Sequence, residues 1–277
     1  AFLPAMLELC VAQQVDLIVP TIDTELATFA QARAQFAEVG TTVAVSDPEV
    51  VSIAADKVAT HDWLLANALP TVNQAPLAAV TAEADAWAYP LVVKPRFGSA
   101  SDGVAVVDGP EALRHLAEVT PAHREMLVQS LARGEEHTID VLVTGDSAPG
   151  VAAAVPRRRL EVRSGEVAKA VTVRSPELSE LAGKLTAALP GAYGPLNIQV
   201  FVDDATGQLA IIELNARFGG GFPLSLHAGS DMPTALLQDS LGLASTVNLT
   251  DWQDNLIMLR YDAAVFVDGA TEPPTGT

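Results

Sequence analysis

A carboxylate, an amide and a guanidinium stand at alternate positions near the end of one apolar segment. They belong to Glu213, Asn215 and Arg217, and three glycines follow at positions 219–221. Burying an acid and an arginine in apolar surroundings is costly unless each finds a partner. A metal ion and an anionic ligand would partner both groups, and the simpler alternative is an ion pair at the end of a strand. The glycines can adopt positive φ or let the backbone approach a ligand closely.

The apolar residues of this segment predict a β-strand. Side chains alternate between the two faces of a strand. We therefore expect Ile211, Glu213 and Asn215 on one face, and Ile212 and Leu214 on the other. In that arrangement the carboxylate and the amide point the same way, and the guanidinium at the next alternate position can join them.

A second apolar segment, 194–202, comes before a turn and predicts a hairpin with the first. If the loop comprises residues 204–208, Gln199 lies directly across from Glu213 on the same face. An amide carbonyl then joins the carboxylate and the amide of Asn215. An oxygen-rich set with few protein ligands is typical of Mg²⁺, which keeps water and phosphate oxygens in its shell.

Two cations stand beside a loop of small residues elsewhere in the chain. Lys94 and Arg96 are expected to share one face of a strand, and the loop 98–103, with sequence GSASDG, connects it to a strand at 104–107. Neither the P-loop spacing nor the dinucleotide-binding glycine pattern is present. The arrangement predicts a phosphate clamp with the loop as a mobile lid. The alternative is an exposed hairpin with solvated charges.

Composition limits the classes of partner. The 277 residues are 49% hydrophobic and carry a formal net charge of −18, which indicates a globular protein with a substantial core. The acidity argues against nucleic acid or an anionic membrane as the main partner, because either needs a basic face. A small anion needs only a local basic cluster. The one basic concentration, 157–169, offers Arg157, Arg159 and Lys169 as candidates for a carboxylate substrate or a transferred phosphate, with the solvated face of a hairpin as the alternative.

The N-terminal region and the cysteine content indicate the compartment. Cys10 is the only cysteine, so no disulfide can form within the chain, which fits a reducing cytoplasm. Polar residues interrupt the apolar run of the first twenty positions, and no basic segment comes before it. We therefore expect neither a signal peptide nor a transmembrane helix, and a cytoplasmic protein.

The order of predicted elements indicates two kinds of domain. Helix, strand, helix and strand over residues 3–45 form half of a doubly wound parallel sheet, whose upstream half is expected to be missing or supplied elsewhere. Asp23 would then lie at a ligand-binding edge, with helix capping as the alternative. Ser46 and Glu49 predict a capping box. A final strand is expected at 256–267.

These segments together resemble the ATP-grasp superfamily, in particular the synthetase halves of the carbamoyl phosphate synthetase large subunit. The resemblance covers about residues 15 to 265. It is carried by Asp56-Lys57, by LVVKPRFGSASDGV at 91–104, by QSLARGEEHTIDVL at 129–142 and by the block at 195–233.

The resemblance implies a mixed α+β and α/β fold with two α+β lobes that hold ATP between them. A partial pre-ATP-grasp domain is expected at 1–55 and a small lobe with the glycine-rich lid at 56–132. A large lobe with the Mg²⁺ site and a disordered tail is expected at 133–277. No second synthetase half follows, so synthesis of carbamoyl phosphate itself is not expected.

The resemblance also implies roles for individual residues. The expected nucleotide-binding residues are Lys57, Lys94, Gly98, Ser99, Ser101, Gly103, Gln129, Ser130, Leu131 and Glu136. The lysines would hold phosphates, 129–131 would contact adenine and Glu136 the ribose hydroxyls. The expected ligands of Mg²⁺, with Mn²⁺ as an alternative, are Gln199, Glu213 and Asn215. The expected catalytic residues are Arg217, Arg96 and Lys169.

Three functions remain open from the sequence. The first is an ATP-dependent ligase that activates a carboxylate as an acyl phosphate and joins it to an amine or another nucleophile. The second is a phosphotransferase that uses the same nucleotide site, and the third is a nucleotide-binding subunit without turnover. The expected partners are a small-molecule carboxylate and an amine, with no nucleic acid and no membrane, and a homodimer is an open alternative. His137 and His227 are interpreted as structural.

Overall fold

The computed structural model describes residues 2–98, 103–121, 125–145, 150–163, 165–264 and 266. The N-terminal part contains three helices and two short strands that pair in parallel. In chain order these are α1 (Phe2–Gln13), β1 (Leu17–Ile18), α2 (Asp23–Glu38), β2 (Thr42–Val43) and α3 (Pro48–Ala55). The parallel pair between helices is the partial doubly wound arrangement that the sequence predicts, with strands shorter than expected.

The middle of the chain forms an antiparallel four-stranded sheet with the strand order β3-β6-β4-β5. Its elements are α4 (Lys57–Ala66), β3 (Gln74–Pro76), α5 (Leu77–Ala82), β4 (Leu91–Pro95), β5 (Ala105–Val107), α6 (Pro110–Val119) and β6 (Met126–Ser130). Leu91 and Val93 of β4 are fully buried against Leu113 of α6. Helices therefore cover one face of this sheet and leave its other face uncovered.

The rest of the chain forms an antiparallel six-stranded sheet with the strand order β11-β10-β7-β8-β9-β12. Its elements are β7 (Glu135–Thr144), β8 (Gly150–Arg163), β9 (Glu166–Thr172), α7 (Pro176–Ala187), β10 (Gly194–Val202), β11 (Leu209–Asn215), α8 (Phe222–His227), α9 (Met232–Ser240) and β12 (Ile257–Leu259). The basic stretch lies in the long β8–β9 hairpin. Of the predicted last strand, 256–267, only three described residues pair with β9, and positions 265 and 267 lie outside the described residues.

The largest core joins the N-terminal helices to this six-stranded sheet. Phe29 and Phe36 of α2 belong to the same buried cluster as Ile198 of β10 and Leu214 of β11. This packing fixes the start of α2 beside the end of β11. Within the ranges that the structure describes, no helix has the length and apolarity needed to cross a membrane.

The predicted alternation of side chains between the two faces of β11 is wrong, because the strand contains a β-bulge. Val200 pairs with Ile211 but Gln199 pairs with Glu213, so Ile212 is an extra residue in β11. A bulge of this kind reverses the facing of the residues beyond it. Ile211 is therefore fully buried in the core with Leu214, not on the face of Glu213 as predicted.

The predicted capping box at Ser46 is also wrong. The residue before α3 is Asp47, and it makes no side-chain capping bond. The Ser46 hydroxyl instead donates to the Tyr193 carbonyl at 3.0 Å and accepts from the Tyr193 amide at 3.0 Å. A buried hydroxyl between two backbone groups ties the N-terminal part to the large sheet. The domain boundaries at 55 and 132 stay a prediction.

Candidate active site

A cleft of about 210 Å³ lies between the two antiparallel sheets. Its walls come from β4 and β6 on one side and from β7, β8, β10 and β11 on the other. The residues expected at the nucleotide that line it are Lys57, Lys94, Gly98, Gln129, Ser130, Leu131 and Glu136. Ser99 and Ser101 lie outside the described residues. Gly103 has a φ of +69° and does not line the cleft.

Lys94 is the buried cation of this cleft. It is 7% exposed, and its ammonium makes one long hydrogen bond, 3.5 Å to the carbonyl of Ile212. Burial lowers the pKa of Lys94 to about 8, and the nearby charge of Glu213 opposes that shift only in part. A buried ammonium with so little internal compensation is suited to receive an anion.

The pKa of Lys94 leads to a testable pH dependence of nucleotide binding. A polyphosphate beside the ammonium would raise that pKa again, so the complex holds more protons than the free protein near pH 8. We expect uptake of about half a proton on binding at pH 8, and affinity that falls as the pH rises further. Calorimetry with a non-hydrolysable ATP analogue, in buffers of different ionisation enthalpy, measures the uptake.

Two variants make that measurement specific to Lys94. Lys94→Met should abolish the proton uptake and weaken binding, whereas Lys184→Met, which removes an exposed lysine of α7, should leave both unchanged. Binding of the analogue to the wild-type protein without proton uptake between pH 7.5 and 8.5 would show that Lys94 does not meet the phosphates.

A second hollow of about 120 Å³ adjoins the cleft and contains the expected metal ligands. Gln199, Glu213 and Asn215 all line it, and no side chain of the three forms a hydrogen bond or ion pair with another described residue. Across the described ranges, no group of three or more His, Cys, Asp or Glu side chains could hold a metal ion. One carboxylate with two amide oxygens fits Mg²⁺ if phosphate oxygens and water complete the shell.

Arg157 is the most buried charge of this second hollow. It is 1% exposed, and it donates from Nε to Asp140 at 2.6 Å and from Nη2 at 2.9 Å. Asn197 and Ser225 also donate to Asp140, at 3.0 and 2.6 Å. Arg157 Nη1 is buried without a partner in the described structure. A buried guanidinium nitrogen without a partner is costly, and it is a ready donor for an anion bound beside it.

The glycines after β11 allow this arginine to approach the backbone. A Cβ atom at Gly221 would lie 2.3 Å from Arg157 Nη1, and one at Gly219 would lie 2.4 Å from Asn197 Nδ2. Neither side chain can easily withdraw, because Asp140 holds both. Any larger residue at these two positions would therefore fill the hollow or displace its donors.

Arg217 closes the other side of the hollow. Its Nε and Nη2 donate to the two carboxylate oxygens of Asp23, at 2.6 and 2.7 Å. The residue at the cap of α2 is Ile22, so Asp23 orients an arginine of the site instead of capping the helix. The N-terminal part thus positions a side chain that lines the second hollow.

Arg159 stands between the two hollows and lines both. Its Nη1 donates to Glu136 at 2.5 Å, and its Nε is buried without a partner in the described structure. Glu136 therefore lines the cleft with one carboxylate oxygen already engaged. Arg159 can therefore contact a ligand in the cleft or in the second hollow.

Two of the expected catalytic residues are not brought to either hollow. Arg96 follows the end of β4 at Pro95, so the predicted shared face with Lys94 is wrong. Its guanidinium instead binds both oxygens of Asp56, at 2.8 and 2.6 Å, and Glu125 at 2.7 Å. Lys169 pairs with Glu161 in the β8–β9 hairpin and is 43% exposed.

The family model of the ATP-grasp domain matches residues 54–221, more than half of the chain. The chain belongs to the ATP-grasp family. The matched range includes the residues of both antiparallel sheets that line the cleft. Membership of the ATP-grasp superfamily and the fold class are therefore confirmed, and the closer likeness to carbamoyl phosphate synthetase halves stays a prediction.

Other ATP-grasp proteins show how far the likeness extends. D-alanine–D-alanine ligase of Ectopseudomonas mendocina is 30% identical over 182 residues, which cover 59% of this chain and 56% of the relative. The biotin carboxylase domain of Hydrogenobacter thermophilus 2-oxoglutarate carboxylase has a TM-score of 0.72 at 19% identity, over 92% of this chain and 60% of that one. L-amino acid ligase of Bacillus licheniformis has a TM-score of 0.62 at 19% identity, over 84% and 58%. The chain thus spans little more than half the length of these proteins.

The polar network that holds Arg157 in place was not predicted from the sequence. Asp140 and Asn197 are polar residues at inward positions of otherwise apolar strands, and both are buried. A buried polar side chain is costly unless it belongs to a hydrogen-bond network. These two residues could therefore have indicated the network around Arg157. The hydrogen bond from Ser225 to Asp140 joins residues far apart in the chain.

Proposed function

We propose that this protein is an ATP-dependent ligase that activates a substrate carboxylate as an acyl phosphate and joins it to an amine. The observation that supports this most strongly is the shared wall between the cleft and the second hollow. Arg159, Gln199 and Glu213 line both spaces. A phosphoryl donor in the cleft and an acceptor in the second hollow would therefore meet at these residues.

The cleft has the features of a nucleotide site. Lys57 and Lys94 offer cations for the phosphates, and the Lys57 ammonium donates at 2.7 Å to the carbonyl of Gly98, at the start of the expected lid. Val92, Leu131 and Phe201 supply apolar surface for the base. Glu136 would offer its remaining oxygen to the ribose hydroxyls, the role that the family resemblance implies. Charged groups beside apolar surface in one cleft suit a ligand that has phosphates at one end and a base at the other.

Gln199, Glu213 and Asn215 would hold Mg²⁺, with Mn²⁺ as an alternative. When bound, the ion would neutralise charge on the phosphate oxygens. The residues of the chain bring the other groups together. Arg157 Nη1 would bind the substrate carboxylate in the second hollow, and Arg217, oriented by Asp23, would bind the transferred phosphoryl group. Positioning and charge neutralisation carry most of the rate in such phosphoryl transfers.

Two steps complete the proposed reaction. In the first, a carboxylate oxygen bonds to the γ-phosphorus of ATP, the bond to the bridging oxygen breaks, and ADP leaves with the electron pair. In the second, the amine nitrogen bonds to the acyl carbon and the carbon–oxygen bond to phosphate breaks. Phosphate leaves with that electron pair and takes the proton that the nitrogen loses. Exclusion of water from the site would protect the intermediate.

The relatives support the class of reaction that we propose. Two of them are ligases by name, and the Hydrogenobacter structure contains MgADP and bicarbonate. The chain spans little more than half of each, so the identity of the acid and of the amine is not carried over from them. We also propose a cytoplasmic setting, which is supported by the buried and unpaired thiol of Cys10.

Release of ADP from ATP and Mg²⁺ tests the proposal. The protein is incubated with a panel of carboxylic acids, each with and without a panel of amines. ADP release that needs both an acid and an amine is the expected result. ADP release with an acid alone, together with a stable phosphorylated product, would instead identify a phosphotransferase. Binding of ATP without ADP release across the whole panel would identify a nucleotide-binding subunit.

A further inference from the structure

We propose that a third hollow beside the reaction centre binds the apolar body of the amine substrate, which makes that substrate an amine with an aliphatic or aromatic group. This inference rests on the proposed ligase function and names the class of its nucleophile. The hollow has a volume of about 310 Å³. It lies between α2, α3 and the end of β11, and Leu26, Ala27, Val51, Ala54 and Phe97 form most of its apolar wall.

The third hollow opens onto the same carboxylate as the other two. Glu213 lines all three spaces, Asn215 lines the second and third, and Lys57 lines the nucleotide cleft and the third. A molecule in the third hollow would therefore have one end at the junction of the nucleotide and carboxylate sites. That is where the acyl carbon of the intermediate would be attacked.

The charges around the third hollow favour an amine over an acid. Its carboxylates are Asp23 and Glu213, and its cation in the described structure is Lys57, which already donates to Gly98. A second carboxylate substrate would find no free guanidinium there, whereas the second hollow has the unpaired Nη1 of Arg157. With no free cation among its described lining residues, the hollow suits a neutral amine nitrogen better than an acid, and the apolar wall suits an uncharged body.

The size of the hollow favours a body larger than a methyl group. At about 310 Å³ it is the roomiest of the three spaces, and the second hollow has about 120 Å³. Alanines at 27, 54 and 55 leave this space open where α2 and α3 face each other. Ammonia would leave most of it unfilled, and an aliphatic or aromatic group would bury apolar surface there.

Substitution of Ala27 tests the inference. Ala27 is exposed on α2, so Ala27→Trp can fill the hollow without entering the core. Ala34→Trp, two helical turns further along at another exposed position, is the matched control. Rates of ADP release are compared for leucinamide, glycinamide and ammonium chloride with the acid that supports turnover. Binding of leucinamide is also measured calorimetrically, with Mg²⁺ and the β,γ-methylene analogue of ATP present.

For the wild-type protein we expect kcat/KM to be at least about tenfold higher for leucinamide than for glycinamide or ammonium. Ala27→Trp should lower the ratio of leucinamide to ammonium kcat/KM by at least about tenfold, and Ala34→Trp should leave it unchanged. If Ala27→Trp does not fold, as judged by circular dichroism, Ala55→Leu at an exposed position of α3 replaces it.

Two failures can be told apart. Amine-dependent ADP release with no preference for leucinamide, or a preference that survives filling the hollow, would overturn this inference and leave the ligase function standing. Binding of the ATP analogue without ADP release for any acid and amine would overturn the ligase function and this inference with it.

Discussion

Glu213→Gln is expected to lower the rate of ATP turnover by about 100- to 1,000-fold while the protein stays folded. Glu213 supplies the only carboxylate among the three expected metal ligands, and it lies where the three hollows meet. The substitution keeps the shape of the side chain and removes its charge. The side chain makes no hydrogen bond or ion pair to another described residue, so little stability should be lost. Steady-state ADP release and thermal unfolding measure the two effects.

The matched control for this substitution is Glu180→Gln. Glu180 forms an exposed pair with Lys184 on α7, and such pairs contribute little to stability or to distant sites. Its turnover should equal that of the wild-type protein. Mg²⁺-dependent turnover that survives in Glu213→Gln would show that the metal assignment is wrong.

Arg157→Met should both destabilise the protein and stop turnover. The substitution leaves the carboxylate of Asp140 buried without its cation, which typically costs about 3 to 5 kcal/mol. It also removes the unpaired Nη1 that we assign to the substrate carboxylate. Thermal unfolding and ADP release of the purified variant record both effects, and a large loss of each is expected.

A double variant separates these two roles of Arg157. Asp140→Asn removes the uncompensated charge and still offers an acceptor to Asn197 and a hydrogen bond to Ser225. Arg157→Met with Asp140→Asn should therefore regain most of the lost stability, because a neutral buried pair needs no cation. Turnover should stay at least about 100-fold below wild type. A double variant that is stable and active would contradict the assignment of Arg157 to the carboxylate.

The pairing across the β10–β11 hairpin shows what the sequence can and cannot predict. Gln199 does lie opposite Glu213, as predicted, but not for the predicted reason: the strands close at Val202 and Leu209 instead of around a loop of 204–208, and the bulge then shifts the register by one residue. The predicted alternation of faces within β11 does not hold at Ile211, because the bulge at Ile212 places Ile211 in the core. The sequence pattern predicts that these two segments form a hairpin, but the exact loop and the bulge depend on the packing of the whole sheet and leave no clear mark in the neighbouring residues.

The remaining differences between the predicted and the observed side-chain positions arise from partners that are far away in the sequence. Lys94 lies within β4 and its position follows from the strand period, so its burial in the cleft was accessible from sequence. Arg96 lies one residue past the strand, and its direction is set by Asp56. The Asp23 contact with Arg217 joins residues 194 positions apart. Pairs of this kind depend on how the N-terminal part packs on the large sheet, which no local pattern encodes.

The fate of the carboxylate oxygen tests the central claim most directly. An acid that supports ADP release is labelled with ¹⁸O in its carboxylate and incubated with the protein, ATP, Mg²⁺ and an amine. Activation as an acyl phosphate predicts that each inorganic phosphate formed carries one ¹⁸O atom from the acid, as mass spectrometry would record. Phosphate released without the label, alongside ADP, would contradict the account.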